Sequence, residues 1–266
     1  MEYRSGSSLR YVHKYMEGAS AEVYAPSMAA QPAVILSPHL DDAVLSCWHL
    51  LCGPGDVGVI NVFAGSPPPE SGASWWDRAT GATDSAVRME ERWAEDREAF
   101  AIAGRTATHL DFLDEQYEPP DQSVEEIVSR LRDLIDPEAI VYAPAALGDH
   151  DDHERVRSAA LELAASGQHV RLYADYPHAV QRGWPAWING TKPKPGSGVA
   201  EHWNQRLGEV GLTRPRPDVH HLGADEQERK LRALSAYRTQ IPALASRFGA
   251  IEGFPAFPYE IVWTLS

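Results

Sequence analysis

The chain is short of cysteine, of positive charge and of long apolar runs, and each shortage removes a class of protein. Only two cysteines, Cys47 and Cys52, occur among 266 residues. Five positions apart in one expected helix, they point to different sides of it and read as small buried hydrophobes rather than as a disulfide or a metal pair. Lys and Arg number 24 against 38 Asp and Glu, a formal net charge of −14. A nucleic-acid partner normally requires a basic face, so none is expected. No stretch approaches the roughly 20 apolar residues of a membrane span, and residues 1–10 hold no apolar run of signal-peptide length. The expectation is a cytoplasmic protein with no membrane span. No Gly-x-Gly-x-x-Gly follows the first apolar strand, which excludes the dinucleotide-dehydrogenase fingerprint.

What is present is an ordinary globular composition, 43% hydrophobic and 23% charged. A chain of this length buries a core without a structural metal, so a metal site here would be functional. Residues 1–30 show no period and read as an irregular lead-in. Short apolar runs at 33–37, 57–63, 108–112, 139–143 and 170–174 read as buried strands. Helical patterns lie between them at 40–51, 85–103, 123–135 and 152–165, with stops at Gly53, Gly104 and Pro137. This alternation predicts an α/β fold, a doubly wound and mostly parallel Rossmann-like sheet with helices on both faces. A loop at 64–84 and a C-terminal insertion at 177–217 interrupt it, the latter rich in Pro, Gly and Trp. A strand at 219–222, a helix at 225–238 and an edge strand at 260–265 complete a single domain, 1–266.

The chemistry-bearing residues follow two of these strands. The first strand runs into Pro38-His39-Leu40-Asp41-Asp42, and the fourth into a segment ending Asp149-His150-Asp151-Asp152-His153. Ligands of open α/β sheets bind beyond the carboxyl ends of strands where strand order reverses. With the common order 3-2-1-4-5, that point lies between these two strands. The spacing of His39 and Asp42 lets two short side chains converge on one ion, and His153 can supply a third ligand from the opposite wall. Two His and one carboxylate leave a position for water, as catalytic zinc sites require, although the same set accepts iron, cobalt or manganese. Asp41, beside the ligands, is suited to take a proton from that water. His150, as imidazolium, would stabilise an oxyanion or protonate a leaving amine. Asp152 would orient His150, while Asp149 and Asp151 would bias its pKa upward. Singly, such Asp residues at a helix start are ordinary caps; two His/Asp clusters at two strand ends are not explained that way.

These residues resemble the PIG-L/LmbE-like N-acetylglucosaminyl deacetylases. The first family motif appears as His39-Leu40-Asp41-Asp42-Ala43 and the second as His150-Asp151-Asp152-His153. Arg92-Trp93-Ala94-Glu95 looks like the family's Arg-x-x-Glu helix, and Lys230 with Tyr237-Arg238-Thr239-Gln240 looks like its late Lys…Arg-Ser-Gln segment. The resemblance implies Zn2+ held by His39, Asp42 and His153, Asp41 as general base, and His150 facing the oxyanion with Asp152 behind it. It also implies an N-acetylated amino-sugar as the small-molecule substrate. Leu40, Ala43 and Asp151 depart from the common pattern, which puts substrate identity in question rather than the chemistry.

Trp75 and Trp76 in the first loop, and Trp184, Trp187 and Trp203 in the insertion, suit either a sugar or apolar aglycone or a small core under long loops. Arg92 is either a substrate anchor or a solvated helix residue. The length of both loops points to a lid over a larger glycoside. Two other functions compete. A metal-dependent phosphohydrolase would bring basic residues or a Gly-rich turn, and this turn has neither. A non-catalytic binding protein would carry a degenerate site, whereas every proposed group is present. The sequence leaves the oligomeric state open.

Overall fold

Five strands expected from apolar runs form the parallel part of the sheet, in the expected order. The structure, a computed structural model, describes residues 31–118, 122–213 and 216–265; the lead-in expected over residues 1–30 lies outside the described residues. From Gln31 onward the chain forms one compact unit. Its elements run β1 (Ala33–Ser37), α1 (Asp42–Ser46), α2 (Trp48–Leu51), β2 (Val57–Asn61), α3 (Trp75–Ala79), α4 (Ser85–Ala103), β3 (Ala107–His109), α5 (Val124–Arg132), β4 (Ile140–Pro144), α6 (Asp151–Ala165) and β5 (His169–Tyr173). There follow α7 (Ala186–Asn189), α8 (Val199–Glu209), β6 (Asp218–His221), α9 (Ala224–Leu234), α10 (Ile241–Phe248) and β7 (Tyr259–Thr264).

Among the described residues the sheet has seven strands, in the order β3-β2-β1-β4-β5-β7-β6. β1 pairs in parallel with both β2 and β4, and the parallel run extends to β3 and β5. β7 and β6 add antiparallel strands. The reversal of strand order therefore falls between β1 and β4, whose ends carry the His/Asp clusters. Helices surround the sheet. Among the described residues, no helix is long and apolar enough to cross a membrane.

Local chemistry sets several boundaries as expected. Asp84 caps α4 through the Val87 N–H, and Gly104 ends it at φ 70, the left-handed conformation that suits glycine. Ser123 and Glu126 close a capping box on α5. Other expectations are corrected. The helix expected over 40–51 is two short helices, broken at Cys47. The break is stable because Glu260 Oε1 and Oε2 accept hydrogen bonds from the Trp48 and His49 N–H groups at 2.9 and 2.8 Å. The final strand is not an edge: β7 lies between β5 and β6, with Glu260–Trp263 buried. The edge on that side is β6, exposed along its whole length and carrying Asp218, His220 and His221, the polar composition that protects a free edge. Cys47 is buried, but Cys52 is only half-buried, and neither is paired.

The insertion is more ordered than its Pro and Gly content suggested, since it holds α7 and α8. Trp184, Trp203 and Trp263 are buried and meet edge-to-face, with Trp184–Trp203 and Trp203–Trp263 centroids 5.8 and 5.9 Å apart. Trp184 and Trp203 are thus core residues. Trp187 packs on Trp203 with half its surface exposed.

Candidate functional site

The turn after β1 is tied by its own side chains. The Ser37 hydroxyl donates to the His39 carbonyl at 2.5 Å and accepts from the Ala43 N–H at 2.9 Å. Asp42 Oδ2 accepts from the His39 N–H at 2.8 Å. This brings His39 Nδ1 to 3.3 Å from Asp42 Oδ2. From the far side of the switch point, α6 brings His153 Nε2 to 3.3 Å from the same oxygen. The ligand atoms of His39, Asp42 and His153 lie within 4.8 Å of one another, all buried.

The chemistry of this set fits a divalent cation. His153 Nε2 is fully buried and has no hydrogen-bond partner, because the Asp42 contact lacks hydrogen-bond geometry. A buried nitrogen is rarely left so, and a lone pair directed at an ion accounts for it. The remaining nitrogens face carboxylates, as is usual for metal-binding histidines. His153 Nδ1 lies 3.1 Å from Asp175 Oδ2, and His39 Nε2 lies 3.2 Å from Asp152 Oδ2. His39, His150 and Asp152 form a second overlapping group, but there Asp152 is already bound to His39 and to the Glu115 N–H at 3.0 Å.

Charge in this cluster is settled by competition between burial and partners. Burial disfavours ionisation of Asp42, yet the two imidazoles hold it well below the usual carboxylate range. Burial lowers His153, and Asp42 and Asp175 outweigh it, raising the imidazole to about 9. Asp41 sits at the start of α1 but caps nothing. Burial and the adjacent Asp42 charge push it up to about 6, against the pull of Arg92.

Two expected roles change. Asp152 does not stand behind His150; it contacts His39 across the cleft and takes Arg155 Nη1 at 3.3 Å. His150 is not driven toward imidazolium. Burial and the neighbouring His153, His39 and His178 push its pKa far down. The acids expected to raise it are occupied or turned outward: Asp149 pairs with Arg182 at 3.2 Å, and Asp151 is exposed.

His39, Asp41, Asp42 and His150 line a cavity of about 370 Å³, within the usual range for ligand sites. Arg92 lines it too and is buried, so it is not a solvated helix residue. Its Nη1 lies 3.6 Å from Asp114 Oδ2, and Asp114 Oδ2 in turn lies 3.7 Å from His39 Nε2. Trp75 and Trp76 form the rim in T-shaped contact at 5.7 Å, and Trp76 Nε1 donates to Gln240 Oε1 at 2.9 Å. Leu244 and Phe248 of α10 line the same cavity. Lys230 is elsewhere: buried, it pairs with Glu260 at 2.7 Å. Sequence reasoning missed Asp114, Asp175 and His178. Asp175 and His178 follow the tip of β5 in Ala174-Asp175-Tyr176-Pro177-His178, so the strand-end rule applied to β4 would have found them.

Fold and cluster together define a class: a doubly wound α/β protein with a candidate metal centre at the switch point of its sheet. The model of the PIG-L family, described as GlcNAc-PI de-N-acetylase, matches residues 34–164, the segment carrying both motifs. No curated protein matches the chain. Solved structures extend the similarity beyond the matched segment. A triple mutant of the deacetylase Orf2 of the teicoplanin biosynthetic pathway is 25% identical at TM-score 0.67, covering 88% of this chain and 97% of that one. The A40926 pseudoaglycone deacetylase Dbv21 is 26% identical at TM-score 0.63, covering 88% and 96%. A deacetylase–teicoplanin complex is 25% identical at TM-score 0.61, covering 88% and 97%.

Proposed function

We propose that the protein is a zinc-dependent N-deacetylase acting on an N-acetylglucosamine-type amino-sugar carried on a larger glycosylated molecule. The observation that carries this reading is the convergence of His39, Asp42 and His153 on one point, with Asp41 uncommitted beside them in the same cavity. These three residues would hold the ion. When bound, a divalent cation there polarises an amide carbonyl and makes a neighbouring water more acidic.

The rest falls to this chain's own side chains. Asp41 takes a proton from the attacking water and returns it to the nitrogen of the leaving amine, so that acetate and a free amino-sugar are the products. With no partner side chain hydrogen-bonded to it and a pKa near 6, it suits that exchange near neutral pH; a bound cation would draw the value down. His150 acts as a neutral donor, offering one N–H to the oxyanion. Asp152 and Asp175 hold the two ligand imidazoles rather than the reacting groups. Arg92 and Asp114 present a donor and an acceptor side by side, a pairing suited to neighbouring sugar hydroxyls. The Trp75–Trp76 rim and the Leu244–Phe248 wall offer an aromatic and apolar mouth for an aglycone. The teicoplanin-pathway and A40926 pseudoaglycone deacetylases of similar fold support this reading.

The test is incubation of the metal-analysed protein with N-acetylglucosamine, N-acetylated glycosides of apolar aglycones and phosphate monoesters, with products read by mass. Free amine and acetate from the glycosides are expected, with slower turnover of the free sugar. Phosphate release without amine would replace this reading with a phosphohydrolase, and equal rates on free sugar and glycosides would remove the aglycone from it.

A further inference from the structure

The loop 145–150, between β4 and α6, is buried over its first four residues and passes twice through left-handed backbone. Ala145, Ala146 and Leu147 have almost no exposed surface. Ala146 and Asp149 adopt φ 51 and 55, a left-handed region that residues with a Cβ seldom occupy and that persists only when the surroundings over-determine it. Buried carbonyls also need donors, and the loop's own Ala145 and Leu147 N–H groups donate elsewhere, to Tyr173 O and Asp175 Oδ1. Four consecutive carbonyls instead accept from side chains. Arg157 Nη1 reaches Ala145 O at 3.2 Å. Arg206 Nη2 and Nε reach Ala146 O at 2.9 and 3.2 Å. His202 Nε2 reaches Leu147 O at 2.8 Å, and Gln181 Nε2 reaches Gly148 O at 3.3 Å. Three of these four donors belong to the insertion, two of them one helical turn apart on α8.

We propose that α8 clamps this loop, and that Arg206 and His202 are positioning residues that hold His150 against the cavity. The insertion thereby serves the reaction from beneath the site, whatever it does as a cover. Arg206 is itself fixed by Glu154 at the start of α6 and by Glu209 at 3.1 Å, so α8 is pinned both to the loop and to the helix that carries His153. The functional half of this inference rests on the deacetylase reading; the structural half does not.

The test uses the full chain with the substitutions Arg206→Ala and His202→Ala, and Glu201→Gln, an exposed position of α8, as a control that keeps both carbonyl contacts. Hydrogen–deuterium exchange is followed peptide by peptide, alongside zinc affinity and kinetics on the best amino-sugar substrate. Faster exchange confined to residues 145–150 is expected in the two alanine variants and not in the control. Zinc affinity should hold, because neither residue touches a proposed ligand. kcat should fall by roughly 10²-fold, the scale of a small misplacement of a catalytic group, with little change in KM. Unchanged loop exchange in both alanine variants would overturn the clamp. So would exchange that rises equally through the sheet and the insertion, which would make α8 a general stabiliser. If Arg206→Ala fails to fold, His202→Ala decides alone. A wild-type chain inactive on every amino-sugar would sink the deacetylase reading only, since the exchange measurement still judges the clamp.

Discussion

Asp41 and Asp42 are neighbours in sequence with opposite surroundings. Asp42 lies between two imidazoles that keep it ionised, while Asp41 has no such partner and is pushed up to about 6 by burial and by Asp42 itself. Paired carboxylates whose environments drive them apart are how one site separates a ligand from an acid–base group. Asp41→Asn is therefore expected to retain bound zinc while deacetylation falls by about 10²–10⁴-fold. Asp42→Asn and His153→Ala should lose the metal. Metal content of the purified variants, set beside amine release, separates the two outcomes; near-native turnover in metal-loaded Asp41→Asn would remove it as general base. The ligand candidates were legible because His39 and Asp42, and His150 and His153, are each one turn apart, a spacing visible in sequence. Partner choice was not. The resemblance implies Asp152 behind His150, yet Asp152 contacts His39, 113 positions away. Nothing local in Asp175 announces that it backs His153; only strand order brings β5 beside β4.

At the scale of elements, boundaries set by local chemistry were readable and those set by distant partners were not. α4 begins and ends where Asp84 and Gly104 require. The break at Cys47 depends on a carboxylate from β7, which no pattern within 40–51 reveals. Close approach between the β4–α6 loop and the segment after β5 is equally invisible in sequence. A Cβ at Gly148 would collide with the Cβ and carbonyl of His178, and a backbone obstacle cannot rotate away. Gly148→Ala should thus cost about 1–3 kcal/mol by overpacking. It should also move His178 and the cavity wall it forms. Denaturant titration checks the first effect, and an unchanged midpoint would mean the two segments separate more easily than their packing suggests.

For the whole molecule, the sheet's far half is joined to its first helices by one buried ion pair. Lys230 Nζ on α9 meets Glu260 Oε1 on β7 at 2.7 Å, and Glu260 also takes the Trp48 and His49 N–H groups and His49 Nδ1. Burial alone would raise the Glu260 pKa, but Lys230 and His49 more than offset it and hold the carboxyl at about 2. An unfolded Glu titrates near 4.3, so the folded value is the depressed one. The stabilisation is therefore complete above pH of about 5 and drains away as pH falls toward 2, amounting to about 3 kcal/mol for this group. Other carboxylates blur the absolute profile, since Asp41, Glu95, Asp96 and Glu115 are raised by burial and shift stability in the opposite sense. The difference between wild type and Glu260→Gln isolates the effect: their unfolding free energies should converge as pH drops from 5 to 3. Lys230→Met should cost about 3–5 kcal/mol at neutral pH, because it strands a buried carboxylate, and less in the Glu260→Gln background. Parallel pH profiles for wild type and Glu260→Gln would mean that the carboxylate is solvated in solution, and that β7 and α9 are tied to α2 by packing alone.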